Sequence, residues 1–223
     1  MSGVTPDPRS SEDRWAVVLA GPNGAGKTTL AQGILPADAL YLNADVVAGE
    51  LRRSGHPAAT VDIAAARLVL ASLRQAVRDA SSFWVLTNLA GPGLQRRIRQ
   101  WKADGYQVQL VFVWLNSVEL ALQRVAARVG RGGHSVPPDV VRRRYRAGLA
   151  TLDSYLIAVD TWQLFDNDDT DGAALLVAEG ADGAEPIVHN PEAWLFVRSS
   201  IAVAQAEVAS TQHRRLRAGD LGL

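Results

Sequence analysis

Two glycines, a lysine and a threonine at fixed spacing offer the first chemistry in this chain. Gly21 to Thr28 reads GPNGAGKT and fits the pattern G-x-x-x-x-G-K-[ST] at every position. Glycines let the backbone curl until successive N–H groups converge on one anion, in conformations that a Cβ would obstruct. The helix expected to begin near Gly26 adds its unpaired N–H groups and the positive end of its dipole. Lys27 supplies a compact, mobile charge for the β- and γ-phosphates of a nucleoside triphosphate, and Thr28 a hydroxyl for Mg²⁺. Of 23 basic residues only Lys27 and Lys102 are lysines, so arginine gives way at the position where its larger planar fork fits poorly. Gly21, Pro22, Asn23, Gly24, Ala25, Gly26, Lys27, Thr28 and Thr29 are the expected nucleotide cradle.

A phosphate cradle leaves open what happens to the γ-phosphate. The chain has no N-K-x-D segment of the kind that reads guanine in GTPases. The apolar run LVFVWLN ends in Asn116, where motor and transporter ATPases usually place an aspartate. A small-molecule kinase needs a carboxylate near the end of its second strand to accept the proton of an acceptor hydroxyl, and Asp45 in YLNAD stands there. Ligands of open α/β sheets bind outside the carboxyl ends of the strands, which suits that placement. The same aspartate also reads as a plain helix N-cap. The segment RVAARVGRGGHSVPPDVVRRRYR flanks a glycine-rich loop with Arg124, Arg128, Arg131 and the run 142–146. Hinge glycines among arginines suit a lid over about 124–146 that closes on a charged transition state, with His134 as a hydrogen-bond donor. For any single arginine the alternative is a solvated helix face.

Those residues need a frame, and the chain alternates strands with helices. Trp15 to Gly21 is a continuous apolar run, as in a strand buried on both faces. Further strands are expected at Ala39 to Asp45, through SSFWVLTNLAG to about Asn88, at YQVQLVFVWLN and at DTWQLFDN. Helices are expected between them, including a long amphipathic one over 59–79 and others over 117–129 and 139–157. Residues 168–186 read as a turn-rich hairpin or excursion, and a last helix runs from Pro191 to about Arg217. Repeated strand–helix units imply an α/β fold, a P-loop NTPase or kinase-type three-layer sandwich with a mostly parallel sheet of about five strands. The 223 residues suit one domain over 15–217, between a flexible lead-in at 1–14 and a tail at 218–223. With 23 acidic and 23 basic residues the net charge is zero, which argues against nucleic acid or an anionic membrane as partner. The absence of cysteine excludes disulfides and thiolate metal sites. The polar N-terminus has no signal-peptide core and no apolar run is long enough to span a bilayer, so a cytoplasmic protein is expected.

Taken together, GPNGAGKTTLA, LNADVVA, AARLVL, the long segment from Gly105 through RVGRGGHSVPPDVVRRRYRAGL, and LFDND resemble the zeta toxin family of P-loop kinases. The similarity covers about residues 15–168, and the R-V-x-x-G-G-H-x-V-P segment followed by R-R-Y is more specific than the phosphate loop. Characterised zeta toxins phosphorylate UDP-N-acetylglucosamine or related UDP-sugars. The resemblance therefore implies an ATP-dependent phosphotransferase acting on an alcohol group, with ATP and Mg²⁺ as cofactors and an antitoxin protein as a further partner. It implies that Lys27 and Thr28 hold ATP–Mg²⁺, that Asp45 is the base, and that Arg128 with Arg143 or Arg144 neutralises the transferring phosphate. Asp166 and Asn167 would lie near the nucleotide base, and Arg67, Thr87 and Asn88 would join Asp45 around the acceptor.

One departure from the family matters. Where its members often read E-T-T-L-S-G, this chain has Leu86, Thr87, Asn88, Leu89, Ala90 and Gly91. Leucine accepts no hydrogen bond and orients no sugar hydroxyl. Two expectations follow: a kinase whose acceptor differs from a UDP-sugar, or an ATP-binding module with weak or no transfer that acts through a protein partner.

Overall fold

The computed structural model describes residues 14–36, 39–91, 93–133, 135–169 and 173–220, with side chains described as far as residue 211. The lead-in at 1–13, the lid residue His134 and the last three residues of the tail lie outside the described residues. Strands β1 (Arg14–Ala20), β2 (Leu40–Leu42), β3 (Phe83–Thr87), β4 (Tyr106–Trp114) and β5 (Thr161–Asp166) are the five expected from apolar runs. They form a parallel sheet in the order β2-β3-β1-β4-β5. The segment expected as a hairpin or excursion begins a hairpin, and that hairpin extends this sheet to seven strands. Its β6 (Leu175–Ala181) pairs antiparallel with β5, and β7 (Ile187–Val188) pairs antiparallel with β6.

Helices α1 (Lys27–Ile34), α2 (Ala44–Arg53) and α3 (Val61–Arg78) lead from β1 toward β2 and β3. Helices α4 (Gly93–Ala103), α5 (Val118–Gly130) and α6 (Pro138–Leu156) carry the chain back across β1 to β4 and on to β5. The connection from β1 to β2 through α1 runs one way along the sheet, and those from β2 to β3, β3 to β4 and β4 to β5 run the other, so right-handed crossovers place α1 on the opposite face from the helices of the later connections. The last helix, α7 (Pro191–Asp220), takes in the first residues of the expected tail. No helix among the described residues is long and apolar enough to cross a membrane.

Covering both faces explains the composition of the middle strands. Val17 to Ala20 in β1 and Leu110 to Trp114 in β4 are fully buried or nearly so, with Trp84, Phe83 and Tyr155 filling the layers around them. Ala48, Val61 and Ala65 form a second small cluster with Val47 and Leu51, and it joins α2 to the start of α3. Strand order reverses at β1, which has β3 on one side and β4 on the other. The loop after β1 therefore opens into the crevice where ligands of such sheets bind.

Candidate functional site

The glycine loop runs from the end of β1 into α1. Gly21, Gly24 and Gly26 have φ values of 143°, 83° and 83°, conformations that side-chain-bearing residues rarely adopt. Space excludes side chains there as well. A Cβ on Gly21 would run into the Val113 carbonyl, one on Gly24 would lie 2.8 Å from the Ala121 oxygen, and one on Gly26 would collide with the Asn167 amide. Gly26 is the N-cap of α1 and no side chain caps that helix, so its leading N–H groups remain available to an anion.

Lys27 is buried, and its Nζ donates to the carbonyls of Gly21 (2.7 Å) and Pro22 (2.8 Å) and to Asn88 Oδ1 (3.1 Å). Burial lowers its pKa from 10.5 to about 7; Arg128 and Arg144 push the same way, and the Asp45 carboxylate opposes them. Helix α6 fixes the loop that carries Asn88. A Cβ on Gly148 would lie 2.8 Å from the Asn88 carbonyl, Thr151 Oγ1 donates to the Leu89 carbonyl (2.9 Å), and Tyr155 OH donates to that of Gly91 (2.6 Å). Thr87 Oγ1 accepts from the Leu89 N–H at 3.2 Å, where Leu89 has a left-handed φ of 51°.

Asp45 lies just beyond the second strand and not within it as expected, because β2 stops at Leu42 and Asp45 falls in the first turn of α2. The cap of that helix is Asn43, whose Oδ1 accepts from the Asp45 N–H at 3.0 Å. The Asp45 side chain is therefore not the N-cap, and it lines the same cavity as Lys27, Thr28 and Leu86. This cavity of about 650 Å³ is also bounded by Arg124, Arg128 and Arg131 from α5 and the turn after it, and by Asn167 and Asp169 beyond β5.

The other expected residues divide into two groups. Arg144 is half-buried and close enough to act on Lys27, whereas Arg143 is exposed and lines a groove between α6 and α7 together with Arg142 and Arg146. Asn167 donates from Nδ2 to the Ala25 carbonyl at 2.8 Å and so clasps the phosphate loop. Asp166 is turned to its own loop, accepting from the Asp168 N–H at 2.9 Å. Arg67 is exposed on α3 and lies outside the residues that line the cavity, as does Thr87. Arg124, read in the sequence as part of a lid, instead holds the loop after β5. It donates to the carbonyls of Asn167 (2.6 Å), Asp168 (2.9 Å) and Asp169 (3.2 Å). Sequence reasoning missed Asp169, and no spacing rule points to it.

The donor set fits a triphosphate: curled N–H groups, a lysine beneath them and arginines across the opening. Thr28 and Asp45 face one cavity, and no group of three or more His, Cys, Asp or Glu side chains that could hold a metal occurs among the described residues. Thr28 would hold a nucleotide-bound Mg²⁺, which would supply charge that offsets that of the phosphates.

A family model described as an AAA domain, AAA_33, matches residues 17–154, more than half of the chain. The chain belongs to the AAA_33 family. An uncharacterised protein of Haemophilus influenzae is 30% identical over 130 residues, covering 58% of this chain and 91% of that protein. Crystal structures of the AvrRxo1-ORF1:AvrRxo1-ORF2 complex, one with sulphate ions and one with ATP, superpose with TM-scores of 0.67 at 22% and 21% identity. They cover 84% of this chain and 64% of theirs, so this AAA_33 chain spans less than two thirds of the AvrRxo1 chain it matches. A chain of the PezAT chromosomal toxin–antitoxin system of Streptococcus pneumoniae gives a TM-score of 0.54 at 16% identity, over 90% of this chain and 91% of that one. The fold is that of a P-loop kinase-like domain.

Proposed function

We propose that this chain is an ATP-dependent kinase that transfers the γ-phosphate to a hydroxyl group of a small molecule. The observation that carries this reading is the release of Asp45 from capping. Because Asn43 satisfies the end of α2, the Asp45 carboxylate is available in the cavity that also holds Lys27 and Thr28. In the proposed reaction the triphosphate lies in the Gly21–Thr29 loop with Lys27 at its β- and γ-phosphates, and Thr28 contacts its Mg²⁺. Asp45 accepts the proton of the acceptor hydroxyl as its oxygen bonds to the γ-phosphorus, and ADP leaves. Arg128 and Arg144 offset charge on the transferring group, with Arg131 available at the rim. Asn167 and Asp169 flank the end of the cavity assigned to the base, and Leu86 lies on the acceptor side beside Asp45.

The test is transfer of labelled γ-phosphate from ATP–Mg²⁺ to a panel of hydroxyl metabolites that includes UDP-N-acetyl sugars. The wild-type chain is expected to label at least one of them. D45N is expected to lose about 100-fold or more in turnover while its ATP affinity stays within about threefold, as general-base loss predicts. Full turnover by D45N would remove Asp45 from the role of base.

A second reading has its own observation. Leu86 presents an apolar wall to the cavity beside Asp45. That wall suits either an acceptor less polar than a UDP-sugar or a nucleotide-binding module that works through a protein partner. The AvrRxo1 chain was solved in an ORF1:ORF2 complex and the PezAT chain belongs to a toxin–antitoxin system, which supports including a partner in the proposal. Phosphorylation of a UDP-sugar gained by L86E, with no acceptor found for wild type, would favour the module.

A further inference from the structure

Arg124 stands on the helix from which a lid arginine would reach a phosphate, yet its guanidinium is spent on backbone. Its Nη1 donates to the Asn167 carbonyl at 2.6 Å, and its Nη2 to those of Asp168 at 2.9 Å and Asp169 at 3.2 Å. Three consecutive carbonyls thus turn toward one cation, an arrangement whose like dipoles repel one another once that charge is gone. The loop they belong to is tied down elsewhere as well. The Asn167 N–H donates to the Trp114 carbonyl at 3.2 Å, the Asn116 N–H to Asp168 Oδ1 at 2.8 Å, and Asn167 Nδ2 to the Ala25 carbonyl at 2.8 Å. Arg124 is itself packed against the phosphate loop, where a Cβ on Gly24 would lie 3.3 Å from the Arg124 Cβ. The phosphate loop, α5 and the loop after β5 therefore form one unit, and residues 23–29, Arg124, Asn167 and Asp169 line one cavity.

We propose that Arg124 is a positioning residue for the nucleoside half of the nucleotide: it shapes residues 167–169 into the wall against which base and ribose lie, and it does not act on the phosphates. The inference rests on the kinase reading above and deepens it. The glycine loop and Lys27 already serve the triphosphate, and Arg128 and Arg131 bound the same cavity. What that cradle lacks is a surface for the rest of the ligand, and the loop after β5 lines the cavity beside it. A planar fork suits the task of shaping this surface, because one side chain fixes the orientation of three peptide units. Lysine in the same place keeps the charge but not the fork. Loss of the fork lets the wall shift, while the curled glycine backbone is held by the close approaches that exclude a Cβ there. The ligand then loses contacts to its nucleoside and retains those to its phosphates.

The experiment compares two ligands and needs no acceptor. Calorimetry in the presence of Mg²⁺ measures the affinity for a non-hydrolysable ATP analogue and for inorganic tripolyphosphate. R124M keeps most of the apolar stem and removes every donor. It is expected to weaken analogue binding about five- to tenfold, the worth of one or two hydrogen bonds to the nucleoside, while tripolyphosphate affinity stays within about twofold. R124K is expected to lose about threefold or more for the analogue alone, since charge does not replace the fork. Should R124M fail to fold, R124K carries the test as the milder change. An arginine acting on the phosphates would give another pattern: both ligands weakened together in R124M, and both restored in R124K. That pattern, equal losses for the two ligands in either variant, or unchanged analogue affinity in a folded variant overturns the role given to Arg124 and leaves the kinase reading standing. A wild-type chain that does not bind the analogue overturns both.

Discussion

Lys27 spends its three hydrogen bonds on oxygens of its own surroundings, and burial has already lowered its pKa to about 7. A bound triphosphate places negative charge against the ammonium and raises that pKa again. Below about pH 7 both the free site and the complex hold the proton, and affinity should be flat. Above it the free site loses a proton that the complex retains, so binding must take one up. Affinity for metal-free tripolyphosphate is expected to fall by as much as about tenfold per pH unit from pH 7 upward, with matching proton uptake in buffers of different ionisation heat. A flat profile from pH 6 to 9 would mean that Lys27 keeps its proton when the site is free. The lysine itself could be read from GPNGAGKT. Its tie to Asn88, 61 positions away, could not, because no local spacing encodes a contact set by β1 and β3 lying side by side.

At the scale of elements, α2 and the start of α3 stand apart from the main core. Their own cluster consists of Ala48, Val61 and Ala65 with Val47 and Leu51, whereas Leu73 and Ala76 further along α3 belong to the central core. A cluster that small supplies little burial, so local opening there should cost less than opening of the sheet. Hydrogen exchange is expected to be at least about tenfold faster for amides of 47–66 than for those of β1 and β4. Equal protection would show that the helices open only with the whole molecule. The five parallel strands were readable because each is mostly a run of apolar residues, the central ones buried from both sides. The edge formed by β6 and β7 reads only as a hairpin or excursion, since Glu179, Gly180 and the surrounding turn residues hide that β6 also pairs with β5. Asp45 was placed on a strand because YLNAD looks extended throughout. The buried carboxamide of Asn43 starts the helix two residues earlier.

For the molecule as a whole, α7 is part of the core. Val197, Ile201 and Ala204 are buried on it, Trp194 stacks on Trp162 at 6.0 Å, and Phe196 meets Trp114 edge-on at 5.5 Å. Arg198 sits over the Trp194 ring and pairs with Asp153, and Arg146 pairs with Glu207 at 3.1 Å, so α6 and α7 are joined along their length. Since α6 also fixes the Asn88 loop, the last helix supports the site at one remove. I201D would bury an unpaired carboxylate at about 3–5 kcal/mol and should lower the melting temperature by about 10 °C or more. A melting temperature within a few degrees of wild type would mean that α7 can detach without consequence. The apolar stripe of α7 announces a helix in the sequence, but the aromatic partners it meets across the sheet are set by tertiary packing alone.

The two lysines have been driven in opposite directions, and this makes them chemically distinguishable. Lys102 is held protonated by Asp160 at 3.0 Å, with Asp182 adding to the effect, while burial lowers the Lys27 pKa to about 7. A phosphate-bearing aldehyde such as pyridoxal phosphate should therefore form an imine at Lys27 and spare Lys102, and borohydride would trap that adduct for peptide mapping. ATP should protect against it; an adduct found chiefly at Lys102 would contradict the electrostatics on which the distinction rests.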